Sequence, residues 1–304
     1  MKAMILAAGF GTRLRPLTSE TPKALMPVGN RPMINRVIGY LRRHHVHEFI
    51  VNAHHHPELL ISHLAKERMK GLHIRVKVEP RILGTGGGIK NTEGFWDDAP
   101  FIVMNSDILT DIDFGPALEK HRSAGNLATL ILHDYGPFNQ VRINSELGIL
   151  DISHEPSHGR LAFTGIHILE PDILDFIPEN VFSNIIDCYL HLIERGYSIG
   201  AYVSTGHYWR DVGTIESYRL ANRDMLKGNR LLSSRECWID PTAVIRDWAV
   251  IGRGTILETE ARVERSVLWE HVTVKQGVCV TDSVVSSSQV LEHDIHGEVV
   301  CSPI

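Results

Sequence analysis

Over residues 1 to about 225, short continuous apolar runs alternate with segments whose apolar positions recur at helical spacing. The runs 3–7 (AMILA), 48–52, 73–78, 101–105, 127–133, 161–169 and 197–203 predict strands. Helices are predicted between them, over 32–45, 57–68, 114–124, 182–195 and 214–226. In the first of these, Ile34, Val37, Ile38 and Leu41 share one face. Such alternation predicts an α/β fold, a Rossmann-like and mainly parallel sheet covered by helices. Ligands of such sheets bind at the carboxyl ends of the strands, near a reversal of strand order.

After about residue 230 the apolar period becomes six. One series is Ile239, Ile245, Ile251, Leu257, Val263; a second is Val244, Val250, Ile256, Leu268, Val274, Val280, with Arg262 breaking its phase. A third is Val272, Val278, Val284, Val290. Period six fits neither a helix nor a lone strand, and predicts hexapeptide repeats wound into a short parallel β-helix of about three coils. The expected organisation is an α/β domain over 1–228 and a hexapeptide domain over 237–295. KGNRLLSSRE (227–236) joins them.

Composition narrows the function classes. With 304 residues, 43% hydrophobic and 22% charged, the chain has enough apolar material for one large or two smaller domains. No run reaches the eighteen or so apolar residues of a membrane helix, and MKAMILAAG is too short for a signal peptide. Cys188, Cys237, Cys279 and Cys301 fit no zinc or redox spacing, so reduced thiols and a cytoplasmic setting are expected. A formal charge of −5 speaks against a general nucleic-acid field; an anionic ligand needs a local pocket. NAHHHPELL is read as a strand-to-helix loop rather than a zinc site, since three adjacent histidines cannot face one metal in a regular element.

The chemistry concentrates where the first strand ends, in LAAGFGTRLRPLTSETPKALMPV. Gly9 and Gly11 suggest close backbone approach to phosphate. A dinucleotide fingerprint needs a third glycine where Leu14 stands, and a P-loop needs Gly-Lys-Ser/Thr, which is absent. A nucleotidyltransferase loop fits better: amides at Gly9 and Gly11 and the Arg13 fork face the β- and γ-phosphates, and Lys23, between Pro22 and Pro27, is a point charge near the α-phosphate. A tight surface turn with solvated Arg and Lys is the plain alternative.

The longer string, L-A-A-G-F-G-T-R-L-x-P-L-T with P-K-A-L-M-P-V and R-P-M-I, resembles the sugar-1-phosphate nucleotidylyltransferases. LGTGGGI (83–89), NSD (105–107), FTGIHIL (163–169) and WRDVGT (209–214) continue the resemblance over 1–225. The tail is similar to that of the mannose-1-phosphate guanylyltransferases, whose β-helix is left-handed. The resemblance implies in-line attack of a sugar phosphate on the α-phosphorus of an NTP, with pyrophosphate leaving. The nucleophile is already an anion, so positioning and charge neutralisation carry the catalysis.

The resemblance assigns residues to these tasks. Arg13, Lys23 and Asp107 are catalytic, and Asp107 and Asp211 hold Mg²⁺. Ala7, Ala8, Gly9, Gly11, Thr12, Glu79, Gly84, Thr85 and Ser106 line the nucleotide. Asn105, Glu155, Arg160, Thr164 and Gly165 line the sugar phosphate. Many members grip that phosphate with the lysine of a Glu-Lys-Pro; here Glu155 and Pro156 stand without it, and Arg142, His158 or Arg160 is the candidate replacement. N-acetylmuramate-1-phosphate uridylyltransferases are similar in lacking that lysine. In EPRILGTGGGIKN the glycines are read as a base pocket, with Glu79 at the base edge. A carboxylate only accepts hydrogen bonds, which favours guanine's adjacent donors over uracil.

The expected reaction is therefore GTP with mannose 1-phosphate, and the alternative is UTP with a glucose-, hexosamine- or muramic-type 1-phosphate. A non-catalytic nucleotide-sugar sensor on the same fold is the rival class, but it would be expected to lose the four charges at 13, 23, 107 and 211. A glycosyltransferase would show Asp-x-Asp where Asn-Ser-Asp stands. No lone catalytic His marks the tail as an acyl site, so it is read as joining copies of the chain.

Overall fold

The computed structural model describes residues 1–68 and 71–301. The described chain divides into two compact units, one of residues 1–10 and 37–209, the other of 11–36 and 210–301.

The first unit is built on a nine-stranded sheet. Its strands are β1 (Lys2–Leu6), β2 (Glu48–Ala53), β3 (His73–Val78), β4 (Phe101–Asn105), β5 (Ala128–His133), β6 (Asn139–Ile143), β7 (Ile149–Ile152), β8 (Leu161–Leu169) and β9 (Ile199–Val203). Its main path runs β7-β6-β8-β4-β1-β2-β3, and β5 joins β8 to β9. The β4-β1-β2-β3 half is parallel throughout. The chain steps from β1 outward to β3 on one side and returns to place β4 on the other. This puts the reversal of strand order, and the crevice that goes with it, at the carboxyl ends of β1 and β4.

Beyond β4 the sheet turns antiparallel, because β8 runs against β4, β5 and β6. The polar-rich β6 and β7 form a meander whose weak alternation left no strand signal in the sequence. Helices α1 (Met33–Arg43), α2 (Pro57–Arg68), α4 (Gly115–Ala124) and α5 (Ile185–Glu194) follow the predicted pattern, and α3 (Gly84–Lys90) forms in the stretch read as a base pocket. The core between sheet and helices includes Met4, Phe101, Val103, Leu130, Leu132, Leu169, Tyr189 and Leu192.

The second unit joins the opening loop, helix Ile215–Asp224 and a stack of short parallel strands. Trp238 pairs with Ile256, eighteen residues on; Ile256 pairs with Thr273 and Thr273 with Val290, each seventeen on. One circuit is thus three hexapeptides, as a parallel β-helix requires. The face carrying Trp238, Ile256, Thr273 and Val290 stacks four strands, one more than three coils supply. Inside lie Ile251, Leu257, Val263, Leu268, Val274, Val280 and Val285, residues of the period-six series and their neighbours.

The helix is locked onto this stack by side chains. Arg219 donates to Asp282, which Arg265 also grips with Nε at 2.9 Å and Nη2 at 2.6 Å. These guanidinium groups, Arg265 first, hold the Asp282 carboxyl down to about 2. Trp269 Nε1 donates to Tyr218 Oη at 2.8 Å, and Tyr218 Oη donates to Pro27 O. Asn222 Oδ1 accepts from Gly29 N at 2.8 Å, and Asn30 Nδ2 donates to Ile251 O at 2.8 Å.

Candidate active site

In the first unit many of the predicted residues follow the carboxyl ends of β1, β3 and β4. Ser106 N donates to Leu6 O at 3.0 Å, carrying the β1–β4 pairing one step past the strand ends. Ala7, Ala8, Asn105, Ser106 and Asp107 therefore occupy the crevice that the strand reversal creates. A Cβ on Gly9 would meet nothing within 4 Å, so this glycine borders open space.

A buried chain of hydrogen bonds organises the nucleotide side. Ala7 N donates to Asn52 Oδ1 at 2.7 Å, and Asn52 Nδ2 donates to Glu79 Oε1 at 2.8 Å. Leu83 N donates to Glu79 Oε2 at 3.0 Å. Glu79 is 1% exposed and Asn52 2%. Glu79 thus reaches a base only through the lone pairs these two bonds leave. Asn52 was missed in the sequence; its signal is an amide inside the apolar strand EFIVNA.

The glycines of 84–88 answer first to the protein. A Cβ on Gly84 would lie 2.5 Å from Ser183 O, one on Gly87 2.6 Å from Val181 O, and one on Gly88 2.9 Å from both Asn52 Nδ2 and Glu79 Oε1. Gly86 N donates to Ser183 O at 2.9 Å. The Thr85 hydroxyl accepts from Ile185 N at 3.0 Å and donates to Asn184 Oδ1 at 3.1 Å. Close approach of the 181–185 segment, not chain flexibility, explains four glycines in one helical turn.

On the sugar side, β8 carries an irregularity between Phe163 and His167. Gly165 sits inside it at φ +77°, and a Cβ there would lie 2.9 Å from Asn105 Nδ2. Thr164 Oγ1 donates to Ile131 O at 2.8 Å and Thr164 O accepts from Trp209 Nε1 at 2.9 Å. Glu155 lies in an exposed loop. Arg160 is paired with Asp151 and donates to Gln140 O at 2.9 Å; Arg142 holds the other oxygen of Asp151 at 2.6 Å. The two arginine candidates for the absent lysine's place therefore share one carboxylate, and the third, His158, lies exposed in the same loop as Glu155.

The second unit holds Gly11, Thr12, Arg13, Lys23 and Asp211. Gly11 is left-handed at φ +62°, and a Cβ there would lie 2.9 Å from Thr18 Cγ2 and 3.3 Å from Lys23 Cβ. Thr18 Oγ1 closes the turn on Gly11 O at 2.8 Å. Thr12 and Arg13 follow in a 3₁₀ turn, Thr12–Leu14. Arg13 Nη2 and both Asp211 carboxylate oxygens lie within 3.1 Å of the point a Cβ on Gly213 would take. Gly213 is therefore the gap across which a cation and an acid 198 residues apart converge. Among the described residues, no three His, Cys, Asp or Glu side chains gather as a metal cage. No helix there is long and apolar enough to cross a membrane.

A Rossmann-like, mainly parallel sheet whose strand order reverses between β1 and β4 is the frame of an α/β enzyme. The chain belongs to the nucleotidyl transferase family, whose model matches residues 2–228. It is 31% identical to the mannose-1-phosphate guanyltransferase of Debaryomyces hansenii, over 94% of this chain and 86% of that one. It is 32% identical to the UTP–glucose-1-phosphate uridylyltransferase of Synechocystis, over 74% of this chain and 63% of that one. Among solved structures, it resembles a protein assigned as a glucose-1-phosphate thymidylyltransferase from Bacillus anthracis. That likeness has TM-score 0.65 and 25% identity, and covers 73% of this chain and 94% of the other.

Proposed function

We propose that this nucleotidyltransferase joins GTP to mannose 1-phosphate, releasing pyrophosphate and GDP-mannose. The observation that carries this reading is extent: similarity to the guanylyl relative spans 94% of the chain, tail included, against 74% for the uridylyl one. The Asp107 and Asp211 carboxylates are hard oxygen donors, and a pair of them suits Mg²⁺, which keeps most of its shell for waters and substrate phosphates. Bound there, Mg²⁺ would neutralise phosphate charge. Arg13 forks onto the β- and γ-phosphates and Lys23 sets a positive charge beside the α-phosphate. Amides at Gly9 and Gly11, with Ala7, Ala8, Thr12 and Ser106, bind and orient the triphosphate. Glu79, Gly84 and Thr85 shape the base side. Asn105, Glu155, Arg160, Thr164 and Gly165 hold the sugar phosphate for in-line attack.

On this reading residues 1–228 carry the reaction, which the family match over 2–228 supports, and 237–295 join copies of the chain. Trp238, 52% exposed, Ile256 and Val290, 57% exposed, form an outward row across paired strands, a surface suited to a second copy. Trp238→Ser with Val290→Ser is expected to lower the mass measured by light scattering to that of one chain; an unchanged mass in both proteins places the contact elsewhere. A cytoplasmic setting fits the four free thiols and the nucleotide substrate.

The deciding assay is Mg²⁺-dependent pyrophosphate release over a grid of NTPs and sugar 1-phosphates. GTP with mannose 1-phosphate is expected to give the highest kcat/KM. Release with UTP alone would give the uridylyl reading, which the Synechocystis relative favours. Tight nucleotide binding with no release from any pair would leave a sensor.

A further inference from the structure

The end of β5 carries a polar cluster that none of the roles above uses. His133, the last residue of that strand, is 6% exposed. Its Nδ1 shares a hydrogen with His207 Nε2 at 3.2 Å, and His207 Nδ1 shares one with Ser204 Oγ at 2.9 Å. Its other nitrogen, Nε2, is buried and has no hydrogen-bond partner. Burial, and secondarily His207, pulls the ring's pKa down to about 4, so it is neutral at physiological pH. A neutral ring presents Nε2 as either a donor or an acceptor, according to its tautomer. A buried polar atom left unpaired is costly and needs an explanation.

Its surroundings supply one. Trp209 meets the His133 ring edge-on at 4.6 Å, and Tyr135 stacks on it at 5.7 Å. Tyr135 and Phe138 continue the aromatic wall, 5.3 and 6.3 Å from Trp209. Both are open to solvent, at 40% and 36%. Trp209 is tethered to Thr164 O, on the irregular stretch of β8 beside Gly165. The cluster therefore lies at the carboxyl end of the sheet, next to residues assigned to the sugar phosphate. An exposed aromatic wall around a single buried hydrogen-bonding atom is a recognition surface for a pyranose, whose C–H faces pack on rings while its hydroxyls need polar partners.

We propose that His133 Nε2, held in place by the His207–Ser204 relay and walled by Tyr135, Phe138 and Trp209, reads a ring hydroxyl of the sugar 1-phosphate and so sets sugar specificity. The inference rests on the proposed reaction. On it, His133 contributes to sugar selection and nothing to nucleotide binding. Ser204 and His207 are positioning residues that hold the ring's orientation.

The test compares wild type with His133→Phe, His133→Gln and Tyr135→Ala, using the preferred sugar 1-phosphate and its monodeoxy analogues. His133→Phe is expected to raise the sugar-phosphate KM by roughly 10- to 100-fold, the range for loss of one specific hydrogen bond, with the NTP KM unchanged. One deoxy analogue should be poor for wild type and no poorer than the parent sugar for His133→Phe. His133→Gln, which keeps a polar terminus, should recover part of the loss. Tyr135→Ala, at an exposed position, should raise the sugar KM without altering the deoxy pattern. Equal discrimination among analogues by wild type and a folded His133→Phe would overturn the inference. If His133→Phe does not fold, the pattern in His133→Gln decides: undiminished discrimination overturns the inference there too. Failure of wild type to turn over any sugar 1-phosphate would instead be failure of the proposed reaction.

Discussion

Asp107→Asn is expected to lower kcat by roughly 10²–10³-fold, the scale for losing one group that stabilises transition-state charge, while leaving thermal stability nearly unchanged. The substitution keeps size and shape and removes only the charge. Asp107 lies two residues past the end of β4, beside Ser106, whose N is bonded to Leu6 O, so strand pairing holds the backbone there. The proposed Mg²⁺ role adds a second expectation: the variant should need more Mg²⁺ for half-maximal rate. The check is pyrophosphate release at saturating substrates, repeated across a Mg²⁺ titration, beside a thermal melt. Activity within threefold of wild type at low Mg²⁺ would remove Asp107 from the metal role.

Glu79→Leu carries the largest expected cost in stability. The bond directions of its network are forced. Ala7 N is a donor and so takes the amide oxygen of Asn52; the Asn52 amide nitrogen must then face an acceptor. Leu83 N is another donor, and it takes the second oxygen of Glu79. Leucine leaves both donors buried and unpaired, at about 1–3 kcal/mol each. The melting temperature should fall by roughly 6–12 °C, taking about 3 kcal/mol and 2–4 °C per kcal/mol. Glu79→Gln should fall between, because glutamine offers one acceptor where two are required. A melt within 2 °C of wild type for Glu79→Leu would show that water or a shifted Asn52 takes up the donors. The same variants separate scaffold from base reading: a change in GTP-over-UTP preference that exceeds the general loss of activity would give Glu79 contact with the base.

That residue shows where sequence reasoning reached its limit. The sequence offered an acceptor-only side chain at 79, read as facing a base edge. Its partners were not legible, because Asn52 and Leu83 come together only through the parallel pairing of β1, β2 and β3. The glycines of 84–88 repeat the lesson: they were read as a base pocket, and the close approach of the 181–185 backbone to the same glycines left no mark in the sequence. The strands of the parallel half were legible because they are buried on both faces and read as continuous apolar runs, such as Phe101 to Met104. The meander of β6 and β7 was not, because its residues are half exposed. The period of six was the clearest signal of all, since each inward position of the stack returns to the same wall. His133 was invisible for a different reason. Its chemistry lies in what its second nitrogen lacks, and no pattern of residue types records a missing partner.

The regular stagger of the tail has a consequence for how such chains vary. Each strand rests on the one a whole circuit earlier, Trp238 under Ile256 and Ile256 under Thr273. Loss or gain of a single hexapeptide would turn every later wall by one side of the triangle. That would carry the outward Trp238–Ile256–Val290 row around a corner partway along its length. Loss or gain of a complete circuit leaves each wall facing as before. The length of the tail is in this sense quantised: homologous chains can lengthen or shorten it by whole turns and keep a continuous surface on the same side.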